Sequence, residues 1–202
     1  MTTSAFPFVR SVRPQLETLA SYACLDAAMF SRWINPSNKI LIMDRLRRAR
    51  DRRAKDAGAA AAFQIGTRWD ANALAAVHRR VTAERAGVCT TFAKAAGHIL
   101  GTAPGLKPRI EIVAYPGHVF VVVGRTGDYG ATIGNGLFAK KLLPGYGDWG
   151  DEWVLVDPWA GAMGYHSVIY PDSMIERYPF PGMLARLSLV MERPADPDAC
   201  IE

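Results

Sequence analysis

Arg85-Ala86-Gly87-Val88-Cys89-Thr90-Thr91-Phe92-Ala93-Lys94-Ala95-Ala96-Gly97-His98-Ile99-Leu100-Gly101 is the stretch on which the fold turns. Phe92, Ala93, Ala96, Ile99 and Leu100 recur at helical spacing, and Gly101 ends the pattern, so a helix is expected from Cys89. Gly87 gives the chain a flexible approach to it. A thiol in the first turn meets backbone N–H groups that have no intrahelical partner, together with the positive end of the helix dipole, and both favour a thiolate. The same N–H groups suit an oxyanion developing on a substrate carbonyl.

Upstream of this stretch the pattern is helical. Residues 14–34 place Leu16, Leu19, Ala20, Ala23, Ala27 and Phe30 on one face. Pro14 suits a first turn, Asn35-Pro36 a stop, and Cys24 the helix interior. A second helix is expected from about Ser37 to near Gly58, carrying the basic run Arg45–Lys55. A third is expected over 70–86, with Asp70 as N-cap and Leu74, Val77 and Val81 on its buried face. His78, beside two arginines on that helix, reads as a surface or partly buried histidine without chemistry.

Downstream the period becomes strand-like. Arg109–Ala114, Val119–Gly124, Glu152–Asp157, Tyr165–Tyr170 and Ala185–Glu192 are apolar or β-branched runs broken by Gly and Pro. Helices first and strands later predict an α+β domain, with N-terminal helices packed on an antiparallel sheet. One catalytic domain over 1–193 is expected, helical over 1–60, with a disordered tail over 194–202 that contains Cys200. Residues 126–150 form a Gly-rich insert, read as a mobile flap or substrate loop. Gly134-Asn135-Gly136 within it is no dinucleotide fingerprint, since no clear strand precedes it and no capped helix follows.

The chain has 202 residues, half of them hydrophobic, which suits one domain with a real core. No apolar run approaches the length of a membrane span. No apolar segment at the N-terminus resembles a cleaved signal, so a cytoplasmic protein, or one exported without such a signal, is expected. Three widely spaced cysteines without a CxxC pair argue against a disulfide framework and a cysteine-rich zinc site. No cofactor or metal is expected. The net charge of +5 is a mild bias towards anionic partners. Arg45–Lys55 reads as a solvated helix face, with an anionic surface contact as the alternative. It lacks interleaved aromatics for base stacking, which disfavours nucleic acid.

A nucleophilic thiol needs a base and a group to orient that base. His118 stands at the entry to the most apolar strand, and Asp157 closes another, directly before Pro158. If those strands are neighbours, Asp157 accepts from one ring nitrogen while the other faces Cys89. His98 lies too far along the Cys89 helix to serve as base, and His166 is the main rival.

Gly87, Cys89, Phe92 and Ala93, then His118, then Asp157 with Pro158, occur in an order that resembles transglutaminase-like enzymes of the papain-like cysteine-enzyme superfamily. The segment VLVDPWAG also looks like the acid segment of bacterial effector and toxin domains of that superfamily, several of them protein glutamine deamidases. The resemblance covers residues 85 to about 161. It implies a papain-like fold and acyl transfer through a Cys89–His118–Asp157 triad. A cysteine-dependent amide hydrolase acting on a protein substrate, either deamidase or protease, is the favoured activity. Transfer to an amine and an inactive binding module using the basic helix are the alternatives. The Cys89 backbone N–H is the expected oxyanion donor, with Gln64 or Trp69 as the second. The sequence departs from the family in one respect: the insert separates a His and an Asp that usually sit on strands joined by a short turn.

Overall fold

The computed structural model describes residues 4–24, 68–115, 118–130, 132–133, 140–144, 146–171 and 187–196. The expected second helix with its Arg45–Lys55 run, Gln64, Gly134–Gly136 and Cys200 lie outside them.

Helix α1 spans Ala5–Ala20 and therefore begins well before Pro14, which sits inside it. Its buried stripe is Ala5, Phe8, Val9, Val12, Leu16 and Leu19. Burying a Val- or Leu-sized side chain contributes about 1.5–3 kcal/mol, so the stripe outweighs the roughly 3 kcal/mol that an interior proline costs. The helix stops at Ala20 although apolar spacing continues. Ala23–Cys24 form strand β1, paired in parallel with β2 (Ala86–Gly87) through Ala23↔Ala86 and Cys24↔Gly87. Cys24 is thus a buried strand residue rather than a helical one, because its neighbours' backbone groups pair across the fold.

Helix α2 (Ala71–Glu84) opens on Asp70, whose carboxylate accepts from the Ala73 N–H at 2.9 Å. It ends at Arg85, which takes a left-handed conformation (φ 49°) and turns the chain into β2. Helix α3 (Cys89–Thr102) follows at once and packs on α2, α1 and the sheet.

The remaining strands are β3 (Ile110–Tyr115), β4 (His118–Val123), the short pair β5 (Thr132–Ile133) and β6 (Lys140–Lys141), β7 (Val154–Val156), β8 (Val168–Ile169) and β9 (Ser188–Arg193). A five-residue helix, α4 (Pro158–Ala162), lies between β7 and β8. The main sheet is antiparallel, in the order β8-β7-β4-β3-β9. All six β4 residues are buried, as a central strand covered on both faces requires. The fold is therefore α+β with an antiparallel sheet, as the change of period predicted. No helix among the described residues is long and apolar enough to cross a membrane.

Described parts of the 126–150 insert are stitched to the domain, in contrast to the expected mobile flap. The Trp149 carbonyl accepts from the Thr126 N–H at 3.0 Å, the Leu142 carbonyl from the Gly130 N–H at 2.9 Å, and the Leu187 carbonyl from the Leu143 N–H at 2.9 Å. Trp149 is buried and donates to the Pro144 carbonyl at 2.8 Å. The tail also begins in order: Asp196 accepts from the Lys107 N–H at 2.9 Å and from Arg193 at 2.7 Å. These bonds hold Pro194–Asp196 to the β3 side of the sheet, and residues 197–202 of the expected tail lie outside the described residues.

A second anchor sits where the insert leaves β4. Arg125 is buried and grips Glu111 with two bonds of 2.8 Å, while its remaining nitrogen donates to the carbonyls of Thr126, Gly127 and Asp128. The Tyr129 ring lies 4.8–5.0 Å from the cationic groups of Arg109, Arg125 and Lys141. Burial, then the Glu111 carboxylate, holds the Tyr129 phenol well above its ordinary pKa, so it stays neutral there.

Glu111→Leu alone strands a buried guanidinium and is expected to cost about 3–5 kcal/mol. The double variant Glu111→Leu/Arg125→Met should recover much of that loss in urea unfolding. Gly124, just before this anchor, has φ +77°, and an added Cβ would overlap the Ala5 methyl and stand 3.0 Å from the Glu152 carbonyl oxygen. Gly124→Ala should therefore lose about 2–4 kcal/mol by the same measurement.

Candidate active site

Cys89 is the first residue of α3 and is 8% exposed. The N-cap is Val88, which has no side-chain acceptor for the first-turn N–H groups. A polar cap there would be worth about 1 kcal/mol to the helix. Thr91 secures the turn from within: its hydroxyl accepts from the Val88 N–H at 2.9 Å and donates to the Val88 carbonyl at 3.0 Å. This geometry also explains Gly87, since a Cβ there would stand 2.7 Å from the Thr91 hydroxyl oxygen. The glycine serves a close approach here. The Thr90 hydroxyl lies 4.0 Å from the Cys89 sulfur.

β4 and β7 are direct neighbours, with Val121↔Val156 and Val123↔Val154 in register. That pairing carries His118, the first residue of β4, to Asp157, the residue after β7. The His118 Nε2 and Asp157 Oδ2 are 2.7 Å apart, and both side chains are about 1% exposed. The other Asp157 oxygen accepts from the Ala160 N–H at 3.1 Å, which makes Asp157 the N-cap of α4, with Pro158 in its first turn. The carboxylate is thus held from two sides.

The Cys89 sulfur also acts on the His118 ring, favouring its charged form. With Nε2 committed to Asp157, the other ring nitrogen, Nδ1, is buried. Burial by itself lowers the His118 pKa. The Asp157 carboxylate, by charge and by hydrogen bond, and then the Cys89 sulfur outweigh burial and raise it to about 10. The ring is also walled in by Trp159 (centroids 4.7 Å apart) and Phe120 (5.7 Å). Of the three residues named from sequence, His118 and Asp157 are in direct contact, and Cys89 acts electrostatically on the ring.

Other sequence expectations fare differently. Trp69 is not beside the thiol. Its indole covers Gly97 and Gly101 on α3, within 2.9–3.3 Å of where their Cβ atoms would be. Those glycines lie roughly 12 and 18 Å along the helix axis from Cys89. The expectation of Trp69 as an oxyanion donor is corrected: its ring packs into a helix face without side chains. His166 is exposed and lines a shallow groove with Arg13 and Glu17. Sequence reasoning missed Trp159 and Phe120 as walls for His118. Their signal is their position, two residues beyond Asp157 and His118 respectively. Among the described residues no group of three or more His, Cys, Asp or Glu could hold a metal ion.

No protein-family model matches the chain, and no curated protein matches it. Among solved structures, it is similar to the N-terminal fragment of an uncharacterized protein from Legionella pneumophila, with a TM-score of 0.67 and 14% identity. The match covers 98% of this chain and 93% of that one. At that identity the likeness concerns the fold alone.

His118 should keep its proton well into the alkaline range. Its folded pKa lies above the ordinary value near 6.5, so its contribution to stability is fully present below about pH 6.5 and is lost as pH rises towards 10. In Asp157→Asn the largest opposing influence is gone, and the His118 imidazole should titrate at markedly lower pH in a proton NMR titration of its ring signals. An unchanged midpoint would contradict the pairing.

Proposed function

We propose that the chain is a cysteine-dependent amide hydrolase of papain-like type, a protein glutamine deamidase or protease, using Cys89, His118 and Asp157. The observation that carries this reading is the 2.7 Å His118–Asp157 contact inside the protein, on a ring whose charged form the thiol at a helix start also favours. The Val88 N-cap supports it further. A helix that forgoes a polar cap where its first turn meets a thiol keeps those N–H groups available for a substrate oxygen.

In the proposed reaction Cys89 acts as the thiolate, its proton already on His118, and attacks the carbonyl carbon of a carboxamide or peptide bond. The imidazolium protonates the departing amine or ammonia as the C–N bond breaks, leaving an acyl thioester on Cys89. Water, deprotonated by His118, then attacks the thioester and releases a carboxylate and the thiol. Asp157 holds the ring and its charge throughout. The resemblance of the segments around Cys89 and Asp157 to bacterial effector and toxin domains supports a protein substrate and an exported effector or toxin as the biological setting.

Two measurements test the reading. Iodoacetamide should alkylate Cys89 faster than Cys200, despite the burial of Cys89, and His118→Ala should slow that reaction by roughly tenfold or more. A rate at Cys89 no greater than at Cys200 would sink the proposal. With glutaminyl peptides and unfolded proteins as substrates, a gain of about 1 Da per site marks deamidation and fragments mark proteolysis. Cys89→Ala should abolish either product while leaving the thermal midpoint near that of the unaltered protein.

A further inference from the structure

His78 on α2 and His98 on α3 lie away from the site above, on the wall of a groove of about 380 Å³ between these helices and α1. Val12, Leu19, Tyr22 and Ile99 give it an apolar side, while the Thr82 and Thr102 side chains lie on the same wall as the histidines. The two imidazole rings have centroids 4.8 Å apart and planes inclined by 35°. We propose that His78 and His98 form a two-imidazole site for a divalent transition-metal ion, copper(II) or zinc(II), at this groove.

The spacing is what points to a shared ion. An imidazole nitrogen binds zinc at about 2.0–2.1 Å, which sets the metal about 3.2 Å from the ring centre. Two centres 4.8 Å apart then subtend roughly 100° at the ion, between the square-planar and tetrahedral angles. Each ring is carried by a different, well-packed helix, so the pair is spaced by the α2–α3 packing rather than by two loose side chains. Arg79 acts on the His98 ring by its charge. Arg79 is also the charge that opposes a bound cation and limits its affinity. With two protein ligands the remaining positions fall to water. Imidazole donors select copper and zinc over magnesium or calcium.

Titration calorimetry of the untagged Cys89→Ala protein, which removes the competing thiol, tests this with copper(II) chloride and with zinc chloride. One ion per chain is expected, with affinity falling roughly tenfold or more in both His78→Gln and His98→Gln. Binding that persists unchanged in both variants, or no binding of either metal up to about 1 mM, would overturn the site. Circular dichroism checks that the variants fold. Independently of any change at the two histidines, substoichiometric copper(II) should broaden the ring NMR signals of His78 and His98 together. Broadening confined to His118 or His166 would equally overturn it.

Discussion

The antiparallel register of β4 against β7 is the constraint on which the candidate site depends. It brings the first residue of one strand beside the residue that closes the other, and so creates the His118–Asp157 contact without any help from the loop between them. Burial of such a pair is weak evidence for stability, since the loss of solvation on both groups offsets much of their attraction. The ends of β4 show the contrast. Just beyond its C-terminal end, Arg125 has its carboxylate partner and three carbonyls, a saturated arrangement that anchors the chain. At its N-terminal end, His118 gives one nitrogen to a carboxylate and keeps the other buried. One buried charge is spent on structure, the other is placed where protons could move.

Asp157 ties that chemistry to the fold. One oxygen faces His118 and the other caps α4, so the carboxylate cannot rotate away without releasing a helix start. Trp159, on the first turn of the same short helix, closes over the imidazole. Strand end, helix cap and ring wall are thus three consequences of the run Asp157-Pro158-Trp159.

Much of this was legible in the chain itself. The helix beginning at Cys89, the Asp70 cap and the five runs that became the main sheet follow from spacing, capping chemistry and β-branched composition. What was not legible depended on partners distant in sequence. Apolar spacing runs on past Ala20, and only the pairing of Ala23–Cys24 with Ala86–Gly87 breaks the helix there. Pro14 suits a helix start within its own turn, but the stripe from Ala5 to Val12 binds the earlier turns to the core. Trp69 was valued for its N–H, whereas the Gly97-x-x-x-Gly101 spacing, visible in the sequence, had already prepared a flat surface for its ring. A fold shared at 14% identity over nearly the whole of both chains shows how little of such an architecture resides in particular residues.

The separation of β4 from β7 along the chain has a consequence for how a protein of this kind diversifies. Their pairing is secured by the strands and by anchors at the roots of the insert, while the cost of closing a longer connection grows only logarithmically, by about 0.6 kcal/mol for each doubling. The length of that connection can therefore change with little effect on the His118–Asp157 distance, provided that the buried Leu143 and Trp149 are kept. Selection is free to act on that connection while the buried imidazole–carboxylate pair stays in place.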